Sequence, residues 1–588
     1  MQSNVSDQCD NSTKRKKKRS LNQQVKKRFK KSSSFSKGRR FEQVEHEYFM
    51  RVFELESIFE GSKDEKTIFA NNALAQTANR EVDCAFNQLI SHVIEKLLPL
   101  ATNDVLERYF QAFGENLRPI CGDNFASHVL QALLLQATQR LLQGNSTDIE
   151  GVHAAQWKDW VLKVSRFLLN NIEEFMWERY ASPVLRTAVF CLAGLPHLDK
   201  HSVTKDKGKK ANHNVISVKQ EEINPPKLPE EFLNLLEDFP DRIMKWPNFK
   251  EFVDDSLSSG FLQCLLIALK LKSRKKYTSL CNKILDECFP PNAHESKMFS
   301  PVALPVLEVV IEQSKDKMLR KIYDCLLSKR LVDMATARVA QITLQKFINK
   351  CNNAEMLEEI LNALIPMQNL LQSGNHGVLV SLCQACERLK KGQSKFFQAL
   401  KKALCVEDDC EQLVPAIMAM TPLPHQSSLR DSKHGSLIIQ SILGFQKPTK
   451  VVNSLLSYEP KQLTDLLSTS FGSFITKAYC KSEYVGEKSR LKLIQKLMGR
   501  YSYMAKSIFG SRSFDDIWEV ADFKSRTMIV KDLAGGYSEL TTTSCGRGVM
   551  TKVRLEDYRS KGEEHWKRTW QKIESKRKLF APIIGNVK

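Results

Sequence analysis

The sequence predicts an all-α fold, an α-solenoid superhelix of about eleven repeats of two or three helices each. Three observations predict it. A short apolar phrase recurs: S-H-V-I-E-K-L-L at Ser91–Leu98, S-H-V-L-Q-A-L-L at Ser127–Leu134, S-G-F-L-Q-C-L-L at Ser259–Leu266 and S-L-I-I-Q-S-I-L at Ser436–Leu443. The phrase returns at a near-fixed step, as in a stack of similar units that build long surfaces for extended partners. Flanking apolar residues, such as Leu357-Ile360-Leu361-Leu364, keep helical spacing, and no segment of weight alternates like a strand.

The chain opens on a basic arm, residues 1–41. Residues 1–40 carry fourteen Lys and Arg against Asp7 and Asp10, a contribution of +12 to a net charge of +21. The clusters are Lys14-Arg15-Lys16-Lys17-Lys18-Arg19 and Lys26-Lys27-Arg28 with Lys30-Lys31, set among serines. Such a segment has too little apolar surface to fold alone, so it is expected to be disordered. A solubilising arm is the plain reading. A nuclear or nucleolar address that also contacts phosphates is the sharper one. The net charge of the whole chain favours a polyanionic partner, foremost nucleic acid.

The repeats follow. With the fifth residue of each phrase as marker, the series is Glu95, Gln131, Arg186, Gln263, Glu308, Gln345, Ser381, Gln440, Lys477, Asp515 and Thr551. The steps are 36, 55, 77, 45, 37, 36, 59, 37, 38 and 36, and six of the ten lie at 36–38. Residues 42–198 form the N-terminal repeats and residues 230–555 the central and C-terminal ones. The longest step holds a polar linker at 199–229, with Lys205-Asp206-Lys207-Gly208-Lys209-Lys210 and three prolines. Two further long steps, near Leu142–Ala154 and Val406–His425, include loop-like polar or Pro-bearing stretches.

Each phrase is a helix. At about 100° per residue, Val129, Leu130, Leu133 and Leu134 share one side of the wheel, and Ser127, His128 and Gln131 share another. The first, second and fifth positions thus form one polar triplet per repeat. A residue with little or no side chain precedes several phrases (Ala126, Gly435, Gly472, Gly510, Gly546), which lets a neighbouring helix come close.

These triplets resemble those of Pumilio (PUF) repeats. In that family each unit of three helices presents one helix to RNA, with two edge contacts and one stacking contact per base. The matches are Ser91, His92 and Glu95; Ser127, His128 and Gln131; Ser436, Leu437 and Gln440; and Ser259, Gly260 and Gln263. A narrower resemblance is to the nucleolar protein nine family. It rests on Glu45-His46-Glu47-Tyr48-Phe49, Asp123-Asn124-Phe125, Arg179-Tyr180-Ala181-Ser182-Pro183, Cys191-Leu192-Ala193-Gly194, Gly377-Val378 with Ala385-Cys386, Gly510-Ser511-Arg512 with Trp518, and the closing Tyr558 and Trp566. It covers roughly residues 42–570. It implies an eleven-repeat superhelix in the nucleus and nucleolus that binds precursor rRNA, including spacer beyond the small-subunit rRNA, alongside small-subunit preribosome proteins and without catalysis.

The triplets are uneven. Leu304, Pro305 and Glu308 offer neither edge contact at the first position nor a stacker, and Arg186 puts a guanidinium where an amide belongs. Ser473, Phe474 and Lys477, Ser511, Arg512 and Asp515, and Arg547, Gly548 and Thr551 also depart. A few base-reading repeats are therefore expected, with Arg and Lys gripping backbone elsewhere. Candidate RNA contacts are Ser91, His92, Glu95, Ser127, His128, Gln131, Arg186, Gln263, Gln341, Gln345, Ser436, Gln440, Ser473, Phe474, Lys477, Ser511, Arg512 and Arg547. The competing reading is a protein-binding scaffold or adaptor of HEAT or armadillo type. An ordinary messenger-RNA repressor of the Pumilio kind predicts eight intact triplets, which this chain lacks.

Catalysis finds no support. There is no Gly-x-x-x-x-Gly-Lys loop, no His-Glu-x-x-His and no Gly-x-Ser-x-Gly. Asp254-Asp255, Asp408-Asp409 and Asp515-Asp516 are isolated pairs in different repeats, unlike the clustered carboxylates of a metal-dependent nuclease. Cys383-Gln384-Ala385-Cys386 lacks a second pair at zinc spacing and reads as core, and Cys405 and Cys410 read likewise. No cofactor, metal, small-molecule substrate or membrane partner is expected. No run of about 18 apolar residues occurs, and the N-terminus lacks a signal-peptide core. Residues 556–588 read as a capping helix that buries Trp566 and Trp570, followed by a basic tail.

Overall fold

The computed structural model describes residues 38–58, 61–143, 151–195, 228–289, 299–407, 409, 411–422 and 432–584. The basic clusters at 14–19 and 26–31, nearly all of the linker 199–229 and Cys410 lie outside the described residues. The regular structure among the described residues is all helical, with no strand among them. The chain divides into two compact units, Met1–Gln313 and Ser314–Lys588.

Each unit is an all-α solenoid whose spine is a row of stacked helices, here called face helices. The first unit has five: Gln88–Leu97, Ala126–Gln143, Ala181–Leu192, Ser256–Lys272 and Leu304–Gln313. The second has six: Ala340–Lys350, His376–Leu389, Lys433–Leu443, Ser470–Lys481, Ile508–Val520 and Ser544–Val553. Within each unit every face helix packs on the next. Every marker residue of the sequence lies in one of them, so they number repeats 1–11. The typical repeat adds a long and a short helix, as in Thr449–Ser457 and Pro460–Leu467 before Ser470–Lys481.

The wheel of the phrase explains the packing. Val129, Leu130, Leu133 and Leu134 are fully buried, whereas His128 is exposed. Each such side chain contributes about 1.5–3 kcal/mol on burial. Two-sided burial between neighbours makes a continuous core, which no single repeat could form alone.

The starts of seven face helices are fixed by side-chain caps that satisfy otherwise orphaned N–H groups. In the first unit the caps are carbonyl-bearing. Asn87 accepts from Leu89 N and Ile90 N, Asp123 from Phe125 N and Ala126 N, and Asp255 from Leu257 N. In repeats 8–11 a hydroxyl accepts from the N–H of a glycine three residues on. The pairs are Ser432 and Gly435 (3.4 Å), Thr469 and Gly472 (2.9 Å), Ser507 and Gly510 (2.8 Å), and Thr543 and Gly546 (3.0 Å). These glycines meet the preceding helix at close range. A Cβ added to Gly472 would lie 1.9 Å from the Leu466 carbonyl oxygen, and the other three would lie 2.2–2.3 Å from Ile417, Met504 or Leu540 oxygens. Ser/Thr-x-x-Gly is therefore one device, a cap joined to a close helix–helix approach.

Within Val406–His425, Leu413–Ala419 forms a helix closed by Met420 at φ 53°. One sequence expectation is corrected: Cys405 is exposed, at φ 58° on a helix-ending turn, and so is not core. Cys383 and Cys386 are buried, and burial pushes the Cys386 thiol up to about 12. At the C-terminal end, Leu555–Ile584 breaks at Gly562, where φ is 82°. Beyond the break, Trp566 is fully buried and its indole N–H donates to the Val553 carbonyl at 2.8 Å. Trp570 packs edge-on against Trp518, and the Arg526 guanidinium lies over both rings.

Candidate nucleic-acid interface

The polar triplets occupy one register on the face helices, near their N-terminal ends. Their three positions have different surroundings. The first-position serines are buried: Ser91, Ser127, Ser182, Ser259, Ser436 and Ser473 are all at most 5% exposed. Three of their hydroxyls reach the next repeat. Ser182 donates to the Leu257 carbonyl (3.4 Å), Ser259 to Val302 (2.9 Å) and Ser436 to Phe471 (3.0 Å). Ser91, Ser473 and Ser511 instead donate to carbonyls one turn back in their own helices, those of Gln88, Ser470 and Ile508.

Second positions carry the exposed rings and planes. His92, His128, Phe474 and Arg512 all project to solvent, and Phe474 is 52% exposed although it is a large apolar ring. The Arg512 guanidinium lies 5.7 Å from the centroid of the Phe509 ring. Exposed flat groups of this kind offer stacking surfaces to unpaired bases.

Three fifth positions, Gln131, Arg186 and Gln345, meet the next repeat. Gln131 donates to the Ser127 carbonyl at 3.3 Å and accepts from Thr187 of repeat 3 at 3.4 Å. Arg186 of repeat 3 lies over Gly260, where an added Cβ would sit 3.2 Å from its Nη1. Gln345 of repeat 6 lies over Gly377 in the same way, and its amide donates to Gln341 at 3.3 Å. Gln341 in turn donates to Asn375 at 2.6 Å. Gln440 donates to the Ser436 hydroxyl at 2.9 Å. Glu95 stands 3.8 Å from the His92 ring nitrogen. Gln263 and Glu308 are buried, and Gln263 is only 2% exposed.

Cations mark the C-terminal repeats. Lys477 is exposed, with no ion pair among the described residues. Arg547 is exposed and donates to the Thr541 carbonyl at 2.7 Å. Lys552 pairs with Asp515 at 2.6 Å, so the fifth-position acid of repeat 10 is neutralised by repeat 11. Sequence reasoning missed Lys552, Thr187 and Asn375. Lys552 and Thr187 each follow a marker by one residue, and that offset is the signal that could have found them. Among the described residues no group of three or more His, Cys, Asp or Glu side chains could hold a metal ion. No described helix is long and apolar enough to cross a membrane.

Comparisons with known proteins agree with this layout. The chain is 25% identical over 578 residues to "Nucleolar protein 9" of Mus musculus, covering 91% of this chain and 90% of the relative. It is 23% identical over 609 residues to "Pumilio homolog 23" of Arabidopsis thaliana, covering 96% and 78%. A solved structure of APUM23–GGAGUUGACGG matches at a TM-score of 0.71 and 20% identity, over 90% of this chain and 99% of that one, and so shares its fold. The relatives named for the nucleolus give the family its place in the nucleus and nucleolus. The family model described as the NOP9-like PUF repeat domain matches residues 79–548, most of the chain, and this protein belongs to that family.

Proposed function

We propose that this chain is a non-catalytic RNA-binding protein. It holds precursor rRNA, both small-subunit rRNA and adjoining spacer, during maturation of the small ribosomal subunit in the nucleolus. One observation carries the proposal: His92 and His128 in the first unit, and Phe474 and Arg512 in the second, are exposed at the same position of neighbouring PUF-type helices, beside amide or charged fifth positions. Unpaired bases would stack on these groups, and Glu95, Gln131, Arg186, Gln345, Gln440 and Lys477 would meet base edges or phosphates. The name of the relatives and the RNA sequence in the APUM23 structure support the same reading.

The remaining proposed contacts divide by burial. Gln341, Ser511 and Arg547 reach the surface, whereas Ser91, Ser127, Gln263, Ser436 and Ser473 lie beneath it and would act through the shape of the site. The segment 1–41 is assigned as nucleolar address and added phosphate contact, 199–229 as an insertion, and 556–588 as cap and basic tail. Small-subunit preribosome proteins are the expected neighbours. Occupying spacer would delay a processing nuclease.

Crosslinking of bound RNA in cells tests this. Recovery of precursor rRNA around the end of the small-subunit sequence is the expected result. Recovery of mainly messenger 3′ ends, or of protein partners without RNA, would overturn it and, in the second case, favour a scaffold.

A further inference from the structure

A second basic site lies away from the triplets, at the other end of the face helices. The helix of repeat 7 ends at Leu389, and Lys390, Lys391 and Gly392 turn the chain into the next helix, Gln393–Ala403. Lys390 and Gly392 both have left-handed backbone, at φ 52° and 68°. The turn faces the end of the repeat 8 helix, where Phe445, Gln446 and Lys447 follow Leu443. Between them is a cleft of about 430 Å³.

Four lysines line it, Lys390, Lys391, Lys395 and Lys447, and all are exposed. One carboxylate lines it, Glu358, 3.5 Å from Lys391. Lys395 reaches only the neutral amide oxygen of Asn362, and neither Lys390 nor Lys447 has an ion pair among the described residues. The lining therefore carries three uncompensated positive charges.

The walls are held in place. Gln393 accepts from the Gln446 N–H at 3.0 Å and donates to the Cys386 carbonyl at 3.2 Å, which ties repeat 8 to repeat 7. Phe445 is buried beneath, edge-on to Phe396. Lysines held apart around a fixed cleft, with one acid among them, fit a chain of phosphates better than an isolated carboxylate.

We propose that this cleft binds the phosphodiester backbone of RNA at a second site, distinct from the triplet face. From Ser381 in the triplet register to Lys390 is nine residues, about 13 Å along a helix. A strand on the triplets does not occupy the cleft, so a longer RNA engages both sites and a short one only the first. The inference rests on the RNA reading of the face, and the test separates the two.

The probes are fluorescent uridine oligomers of about 10 and about 40 nucleotides, the shorter matching roughly one base per repeat. The full-length protein is compared with Lys390→Glu/Lys391→Glu/Lys395→Glu/Lys447→Glu and with the same four positions changed to Gln. The exposed positions predict unchanged melting for both. Loss of at least about tenfold affinity for the long probe is expected, with the short probe unaffected. The slope of log affinity against log salt should fall by about 2 for the long probe, at roughly 0.7 per phosphate contact for three charges. Equal binding of the long probe by wild type and variant, with the short probe still bound, overturns the second site and leaves the face reading standing. Equal loss for both probes also overturns it. Failure of the wild type to bind either probe overturns both readings. Preferential displacement by a phosphoserine peptide assigns the cleft to a phosphoprotein and overturns the RNA assignment.

Discussion

The Ser436 hydroxyl donates to the Phe471 carbonyl at 3.0 Å, and that bond joins repeat 8 to repeat 9. Ser436 is 1% exposed, and it also accepts from Gln440 at 2.9 Å. Ser182 and Ser259 make the same kind of joint to Leu257 and Val302. One residue type at one position thus ties successive units in three places, and in repeat 8 it also holds the fifth-position amide.

Ser436→Ala should therefore weaken the joint rather than only a base contact. Loss of the hydroxyl removes a part-buried hydrogen bond between repeats, worth about 0.5–1.5 kcal/mol. Stability in a repeat array is a sum of units and interfaces, so the loss is local. Hydrogen exchange should speed up in repeats 8 and 9 and not in repeats 1–3. Unchanged exchange would show that the joint contributes nothing.

Gly472 and Gly548 are expected to respond in opposite directions to Ala. At Gly472 the new Cβ would sit 1.9 Å from the Leu466 oxygen, a backbone atom that cannot move aside cheaply. Overpacking of this kind costs about 1–3 kcal/mol or more. Gly548 is exposed within Ser544–Val553 with nothing near its added Cβ. Alanine there should stabilise by about 0.5–1 kcal/mol. Thermal melts of the two variants check the contrast.

The cysteines should separate by burial. The thiolate is the reactive form, and burial pushes Cys386, Cys281 and Cys480 each up to about 12. At pH 8 roughly one in ten thousand of such thiols would be ionised. Cys325 and Cys405 are exposed. Native alkylation at pH 8, read by mass spectrometry, should label Cys325 and Cys405 first and the buried three only after unfolding.

Much of the fold was legible because a repeated interface imposes a repeated sequence. The buried stripe Val129, Leu130, Leu133 and Leu134 and the exposed His128 stand in the wheel as read from the phrase. All eleven markers fall in face helices, including weak ones such as Ser381 and Thr551. The Ser/Thr-x-x-Gly caps also stand in the sequence, as Ser432 to Gly435 and its three successors, but the glycine alone signals close approach, and the hydroxyl's role emerges only from the structure. The serine joints were not legible. Nothing local distinguishes Ser436, which reaches across to the next repeat, from Ser473, which turns back to Ser470. Cys405 reads as core because it has no metal-ligand partner at the right spacing, but that leaves its exposure open, and its left-handed backbone ends the helix with the side chain exposed.

The central claim is that exposed second-position groups form the RNA-stacking surface. Titration of a labelled single-stranded RNA with His92→Ala/His128→Ala/Phe474→Ala/Arg512→Ala tests it most directly. Each stacked base is worth about 1–3 kcal/mol, so the fourfold variant should bind at least about 100-fold more weakly, with its circular dichroism unchanged. Wild-type affinity in that variant would contradict the account.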